Sequence, residues 1–244
     1  MWKTLGTLDI KIRYRRSAIG PFWLTISMAV TIYFMGFLYG HLFKLDLKNY
    51  FPYLASGIIS WSFISMLIIE SNHAFVESAN YIKNQPFAIS TFIMKIITRN
   101  LIIFAHNLLA YLPIMFIFDA GLNSNLLYFL PGLALVCINA YFWGGVLAII
   151  GARYGDFDQI IKSIIQVVFF VTPIMWMPKL LPEKYQWVVL ANPFAQFLQL
   201  LRNPLIGQPI SLYTLSVMII ITVLGILLFG HLVKRYKYRI VYWL

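Results

Sequence analysis

Apolar residues in this chain come in long unbroken runs, not in the alternating or every-third-and-fourth patterns of soluble elements. Six runs stand out, at 22–43, 51–69, 100–118, 126–150, 160–176 and 212–233. From Trp23 to Phe43, and again across 126–150, there is no formal charge. A helix of about 20 residues rises roughly 30 Å, the thickness of a bilayer's hydrocarbon core. The pattern predicts an all-α integral membrane protein with six transmembrane helices.

The segments between the runs predict the rest of the architecture. Residues 1–21 form the first unit: Trp2, Leu5, Leu8, Asp9 and Ile12 recur at roughly helical spacing, which predicts an amphipathic helix lying in the cytoplasmic interface. Gly20-Pro21 turns the corner into the first run. Residues 22–233 form the six-span domain and 234–244 a basic tail. Within the first span, Gly36 and Gly40 make a small-xxx-small pattern that suits close packing inside the chain. Residues 71–98 are polar and read as one or two short surface helices broken at Pro86. Gly144, Gly145 and Gly151 mark close packing near the end of the fourth run. Five of the eleven prolines fall within 177–211, so no straight span crosses there. That segment predicts two short re-entrant helices joined at Asn192-Pro193, between spans 5 and 6, with irregular backbone buried in protein or lining a cavity.

Composition sharpens this. Of the 244 residues, 61% are hydrophobic and 11% charged, against about 25% charged in soluble domains. The net charge of +11 flanks apolar runs and forms no basic soluble domain, so membrane lipids are the expected partners and nucleic acid is not. With both termini cytoplasmic, fourteen of the nineteen Lys and Arg fall on the cytoplasmic side, as the positive-inside rule requires. The other five are Lys44, Lys48, Lys179, Lys184 and Arg202. Cys137 is the single cysteine, which excludes a disulfide framework. The N-terminal stretch does not read as a cleavable signal.

Catalytic and metal signatures are missing. No phosphate-cradling Gly-x-x-x-x-Gly-Lys-Ser/Thr run or Gly-x-Ser-x-Gly elbow occurs, and His41, His73, His106 and His231 are isolated, so no metal site is expected. Glu70 reads as a headgroup-level carboxylate at a span end. Lys95 and Arg99 read as snorkelling cations below the third span. His106 reads as an interhelical hydrogen-bond donor. Few ionisable groups lie within the spans, so the energy source is expected outside the chain, acting through cytoplasmic loops. Aromatic residues make up 17% of the chain. Phe34, Phe37, Trp61, Phe63, Tyr141, Phe142 and Trp143 lie inside spans, where they serve either as core and lipid-facing side chains or as a translocation path for sugar rings.

Four stretches carry a family resemblance across nearly the whole chain. They are Arg13-Tyr14-Arg15-Arg16-Ser17-Ala18-Ile19-Gly20-Pro21-Phe22-Trp23, Gly151-Ala152-Arg153-Tyr154-Gly155-Asp156-Phe157-Asp158, Phe169-Phe170-Val171-Thr172-Pro173-Ile174-Met175-Trp176, and Asn192-Pro193-Phe194 with Arg202-Asn203-Pro204-Leu205-Ile206-Gly207. In their order and spacing the chain resembles the permease subunits of polysaccharide-exporting ABC transporters, which serve O-antigen, capsule and teichoic-acid export. One departure is Tyr154-Gly155, which separates Arg153 from Asp156 where the family often has Arg-Asp contiguous. The resemblance implies a homodimer in the bacterial inner membrane, with two copies of a separate P-loop ATPase that bind the ATP and Mg. It implies no cofactor and no enzymatic activity in this chain, and a lipid-linked, O-antigen-like polysaccharide as substrate. ATPase coupling would fall to Arg13, Arg15, Arg16, Glu77, Tyr81, Lys83, Gln85, Pro86, Arg153, Tyr154, Asp156 and Asp158. Asn192, Pro193, Phe194 and Arg202 would belong to the re-entrant segment near the outer mouth. Competing readings are the same architecture carrying teichoic acid, a glycolipid or a drug, an integral-membrane enzyme acting on lipid-linked sugar, and an ion-coupled carrier.

Overall fold

In a bilayer every backbone N–H and C=O needs a partner within the protein, and helices supply it locally. The computed structural model describes residues 1–15, 17, 19–84 and 89–244, those at 13 and 180 for backbone only; it is helical, with no strand among them. The helices are α1 (Trp2–Arg13), α2 (Phe22–Leu42), α3 (Leu47–His73), α4 (Ala79–Asn84), α5 (Ser90–Leu109) and α6 (Leu112–Ile117). After them come α7 (Phe129–Arg153), α8 (Phe157–Val171), α9 (Gln186–Ala191), α10 (Pro193–Leu205), α11 (Leu212–Tyr236) and α12 (Ile240–Trp243). The side chain of Arg13, and Arg16, Gln85 and Pro86 altogether, lie outside what is described.

Five stretches are long and apolar enough to cross a membrane: Phe22–Leu42, Leu47–His73, Ser90–Ile117, Ser124–Arg153 and Leu212–Tyr236. The fifth predicted span is shorter than expected. Its helix α8 has 15 residues, about 22 Å at 1.5 Å per residue, and stops at Val171 because Pro173 cannot continue the ladder. The third span differs at its other end. α5 begins at Ser90, ten residues before the expected start, and takes Lys95 and Arg99 into the helix.

α3 is the centre of the bundle. It packs against α2, α5, α7, α8 and α10, and its middle is largely buried. Lipid is as apolar as leucine, so close packing and hydrogen bonds hold the helices together here, not exclusion from water. Glycine permits close approach where a side chain would meet backbone, as at Gly57 and Gly132. A Cβ on Gly57 would lie 2.6 Å from the Ile174 carbonyl oxygen, and one on Gly132 would lie 2.6 Å from that of Leu200. Gly36 and Gly40 face Phe51 and Leu47 of the same chain, which is the expected intramolecular use of that pattern. Gly144, Gly145 and Gly151 likewise seat Ser71, Phe229 and Asn72.

Residues 177–211 do form short helices, α9 and α10, meeting at Asn192, whose Oδ1 accepts from Phe194 N at 2.9 Å and caps α10. α1 also forms, and it packs on the protein through a face that the spacing did not single out. Gly6 and Ile10 are buried against α5, while Leu8 and Ile12 are 44% and 69% exposed. The reason is steric: Gly6 comes within reach of the Lys95 carbonyl and Thr98, which a leucine could not do.

Replacing Gly57 by Val forces α3 from the 174 backbone and is expected to destabilise the chain by about 2 kcal/mol. Gly230→Ala, where a new Cβ meets nothing within 4 Å, should leave stability unchanged or slightly raised. Thermal unfolding in one mild detergent separates the two.

Candidate functional site

The termini and the loops after α3, α7 and α11 share one end of the bundle, which carries most of the cations. Arg99 is its hub, 5% exposed on α5. Its Nε and Nη2 donate to Glu70 Oε2 at 3.1 and 2.8 Å, and its Nη1 donates to Asp9 Oδ2 at 2.9 Å. Glu77 Oε2 stands 3.8 Å from the same Nη1. Lys95 Nζ also reaches Asp9 Oδ2, at 3.0 Å, and Asn100 Nδ2 donates to Glu70 Oε2 at 2.6 Å. The cluster therefore ties α1, α3, α5 and the turn after α3 through charge.

This corrects two expectations. Glu70, expected at headgroup level, is enclosed by protein, and Arg99, expected to extend to the surface, is buried against it. Each is held inside because the other neutralises it and Asn100 satisfies a further lone pair. His106 departs too. Its Nδ1 lies 2.8 Å from Ile102 O on its own helix, while its carbonyl accepts from Thr25 Oγ1 of α2 at 2.8 Å.

A second charged link joins α3 to α8. His73 Nε2 lies against Asp158 Oδ1, and Lys162 Nζ donates to Asp158 Oδ2 at 2.6 Å. Lys162 first, then His73, holds the Asp158 carboxyl below its ordinary range. Arg153 sits over the rings of Tyr154 and Trp243, which pins the end of α7 to α12. Of the predicted coupling residues, Arg15, Glu77, Tyr81, Lys83, Arg153, Tyr154 and Asp156 are exposed at this end and Asp158 is half-buried. Asp9, His73, Lys95, Asn100 and Lys162 were not among them. The signal for Asp9 was a lone acid in a basic stretch. What pairs it is a helix nearly ninety residues away.

The opposite end is built on hydrogen bonds to irregular backbone. Beyond α8 the carbonyls of Pro173, Met175 and Trp176 have no helical partner, and side chains of α3 and α10 supply one. Tyr53 Oη donates to Pro173 O and Trp176 O at 3.0 and 3.1 Å, and Tyr50 Oη to Met175 O at 2.9 Å. Arg202 Nη1 donates to Pro173 O at 2.6 Å, with its guanidinium 4.1 Å from the Tyr53 ring centre. Asn192 Nδ2 reaches Thr172 Oγ1 at 3.0 Å, so Asn192 and Arg202, two of the four residues named for this segment, contact residues just after α8.

The predicted aromatic set does not share one surface within a single chain. Phe34 and Phe37 are 63% and 64% exposed on α2, whereas Phe63 is buried, stacked on Phe104. Trp61 meets Phe169 and Phe194 edge-on, and Tyr141 and Phe142 pack on Phe229 of α11. Trp143 donates to Ile221 O at 3.1 Å. No group of three or more His, Cys, Asp or Glu suited to a metal occurs among the described residues.

A multi-pass helical protein with its charge gathered at one end and a broken, hydrogen-bonded segment at the other has the form of a transporter's membrane subunit. The chain belongs to the ABC-2 type transporter family, whose profile matches residues 2–206. It is similar to two proteins from Klebsiella pneumoniae, each called O-antigen export system permease protein RfbA. They are 24% and 23% identical, both over 93% of this chain and 90% of the relative. Members of this family are permeases, and ATP hydrolysis belongs to a partner subunit.

Arg99→Met leaves Glu70 buried without its cation and is expected to cost about 3–5 kcal/mol, whereas the paired change Glu70→Gln with Arg99→Met costs less. A double-mutant cycle in thermal unfolding measures the difference. For Asp158 the depressed value means that its contribution is whole above the unfolded carboxylate value of about 3.9 and is lost as pH falls through the lower folded value. Between pH 7 and about 5 the titration of Asp158 itself should add no slope to the difference in thermal stability between wild type and Asp158→Asn, and the two should converge only in stronger acid.

Proposed function

We propose that the chain is the membrane-spanning subunit of an ABC exporter that carries a lipid-linked polysaccharide, O-antigen-like, across the bacterial inner membrane. The observation that carries this reading is similarity to O-antigen export permeases along nearly the full length of both chains. Two copies would enclose the path, with two copies of a P-loop ATPase beneath them holding ATP and Mg. The basic end faces the cytoplasm in this reading, with both termini inside. α8 with the segment after it completes a sixth crossing, and α9 and α10 form the re-entrant pair at the outer mouth.

The geometry of the charged end supports a mechanical role. An ATPase pressing on the exposed residues Glu77, Tyr81, Lys83, Tyr154 and Asp156 would push on segments already joined by Arg99 and Asp158 to α1, α3, α5 and α8. Movement at the surface would thus reach the bundle as a unit. The exposed Leu8 and Ile12 give α1 an apolar edge to rest in the headgroup region, the arrangement of an interface helix. Phe34 and Phe37 on α2 are available to a second copy, to lipid or to a sugar path.

Purification of the tagged chain from its host in gentle detergent should bring a stoichiometric P-loop ATPase. Glu77→Lys and Asp156→Lys should each lower surface glycan several-fold while membrane insertion stays normal. Recovery of the chain alone, together with unchanged glycan in both variants, would refute the reading.

A further inference from the structure

At the end opposite the basic termini, a cavity of about 860 Å³ opens between the start of α3, the 118–120 turn, the 177–179 segment and α10. Its charged lining is Lys48, Lys179 and Arg202 against Asp46 and Asp119. Three cations against two carboxylates leave the lining one positive charge in excess. Asp46 is already engaged by the Lys48 amide at 3.1 Å and by Asn49 Nδ2 at 2.6 Å.

Arg202 is the unusual member. It is 2% exposed, and among the described residues no carboxylate pairs with it. Its partners are one carbonyl and the face of Tyr53, and its Nε is buried with no acceptor. A guanidinium held out of water without a counter-charge is costly, and an anion near the cavity wall would compensate it. Lys48 and Lys179 are exposed at the same cavity with flexible stems, placed to touch such an anion directly. Gln199 and Asn203 add side-chain amides around it.

We infer that this cavity is an anion site for a phosphate group, with Lys48 and Lys179 as contacts and Arg202 as the buried charge behind them. Oxygen-rich tetrahedral anions match the combination of ammonium and amide donors. Two sources share this chemistry: the headgroup of an anionic phospholipid in the surrounding leaflet, and a soluble phosphate. The site stands on the cavity and Arg202 alone and does not depend on the export reading.

The test is residue-resolved amine labelling of the full chain in a phosphate-free maltoside detergent, read by mass spectrometry. Inorganic phosphate is added in one arm and phosphatidylglycerol in the other. Selective slowing of labelling at Lys48 and Lys179, with the exposed Lys44 and Lys184 unchanged, supports the site. Protection in the phosphate arm identifies a soluble source, and protection in the phosphatidylglycerol arm alone identifies the headgroup. Arg202→Gln should weaken the protecting ligand about tenfold, the loss expected for one charge-assisted interaction. Arg202→Lys should retain most of it. No protection in either arm, or equal protection at all four lysines, overturns the inference whether or not the Arg202 variants fold. Full protection in a folded Arg202→Gln removes Arg202 from the site.

Discussion

A buried cation is costly unless an anion matches it, and Arg99 is matched by drawing three segments together. Glu70 comes from α3, Asp9 from α1 and Glu77 from the turn between α3 and α4. Because the unpaired alternative costs several kcal/mol, the relative positions of these elements are not independent. The early start of α5 follows from this. A helix can carry Lys95 and Arg99 inward only if carboxylates already wait there.

The other end obeys the same rule with backbone in place of charge. Pro173 ends α8 before it crosses, and the carbonyls beyond it need donors that lipid cannot supply. Tyr50, Tyr53 and Arg202 provide them. α3 therefore answers for both ends, with Glu70 in its last turn and two tyrosines in its first two. This explains why α3 is the most enclosed helix and why Gly57 sits where the irregular backbone comes closest. A rigid central helix clamped at both ends suits a protein whose proposed work is to pass motion from one membrane face to the other.

Much of the candidate site was legible. The charged loops were found because cations and acids are rare in this chain, so Glu77, Arg153, Asp156 and Asp158 stood out against an apolar background. The prolines and Asn192 announced the short helices α9 and α10 for a local reason: they limit backbone geometry wherever they occur. Glu70 and Arg99 were each visible as single residues, yet their meeting was not, since they lie 29 positions apart and nothing local marks them as a pair. The aromatic path was the least legible element. An aromatic in a span suits lipid, core and sugar equally, and only packing separates Phe34 from Phe63.

By itself the sequence determined that the chain is a helical membrane protein, where most crossings lie, and which segments break. Those properties follow from run length, charge count and proline, all of which act within a few residues. Only the tertiary structure decided that α8 stops short, that α1 packs through Gly6 and Ile10, and that Glu70, Arg99 and Arg202 are buried. Those outcomes depend on what a distant segment brings to each side chain. Burial of a charge is a property of the pair and not of the residue.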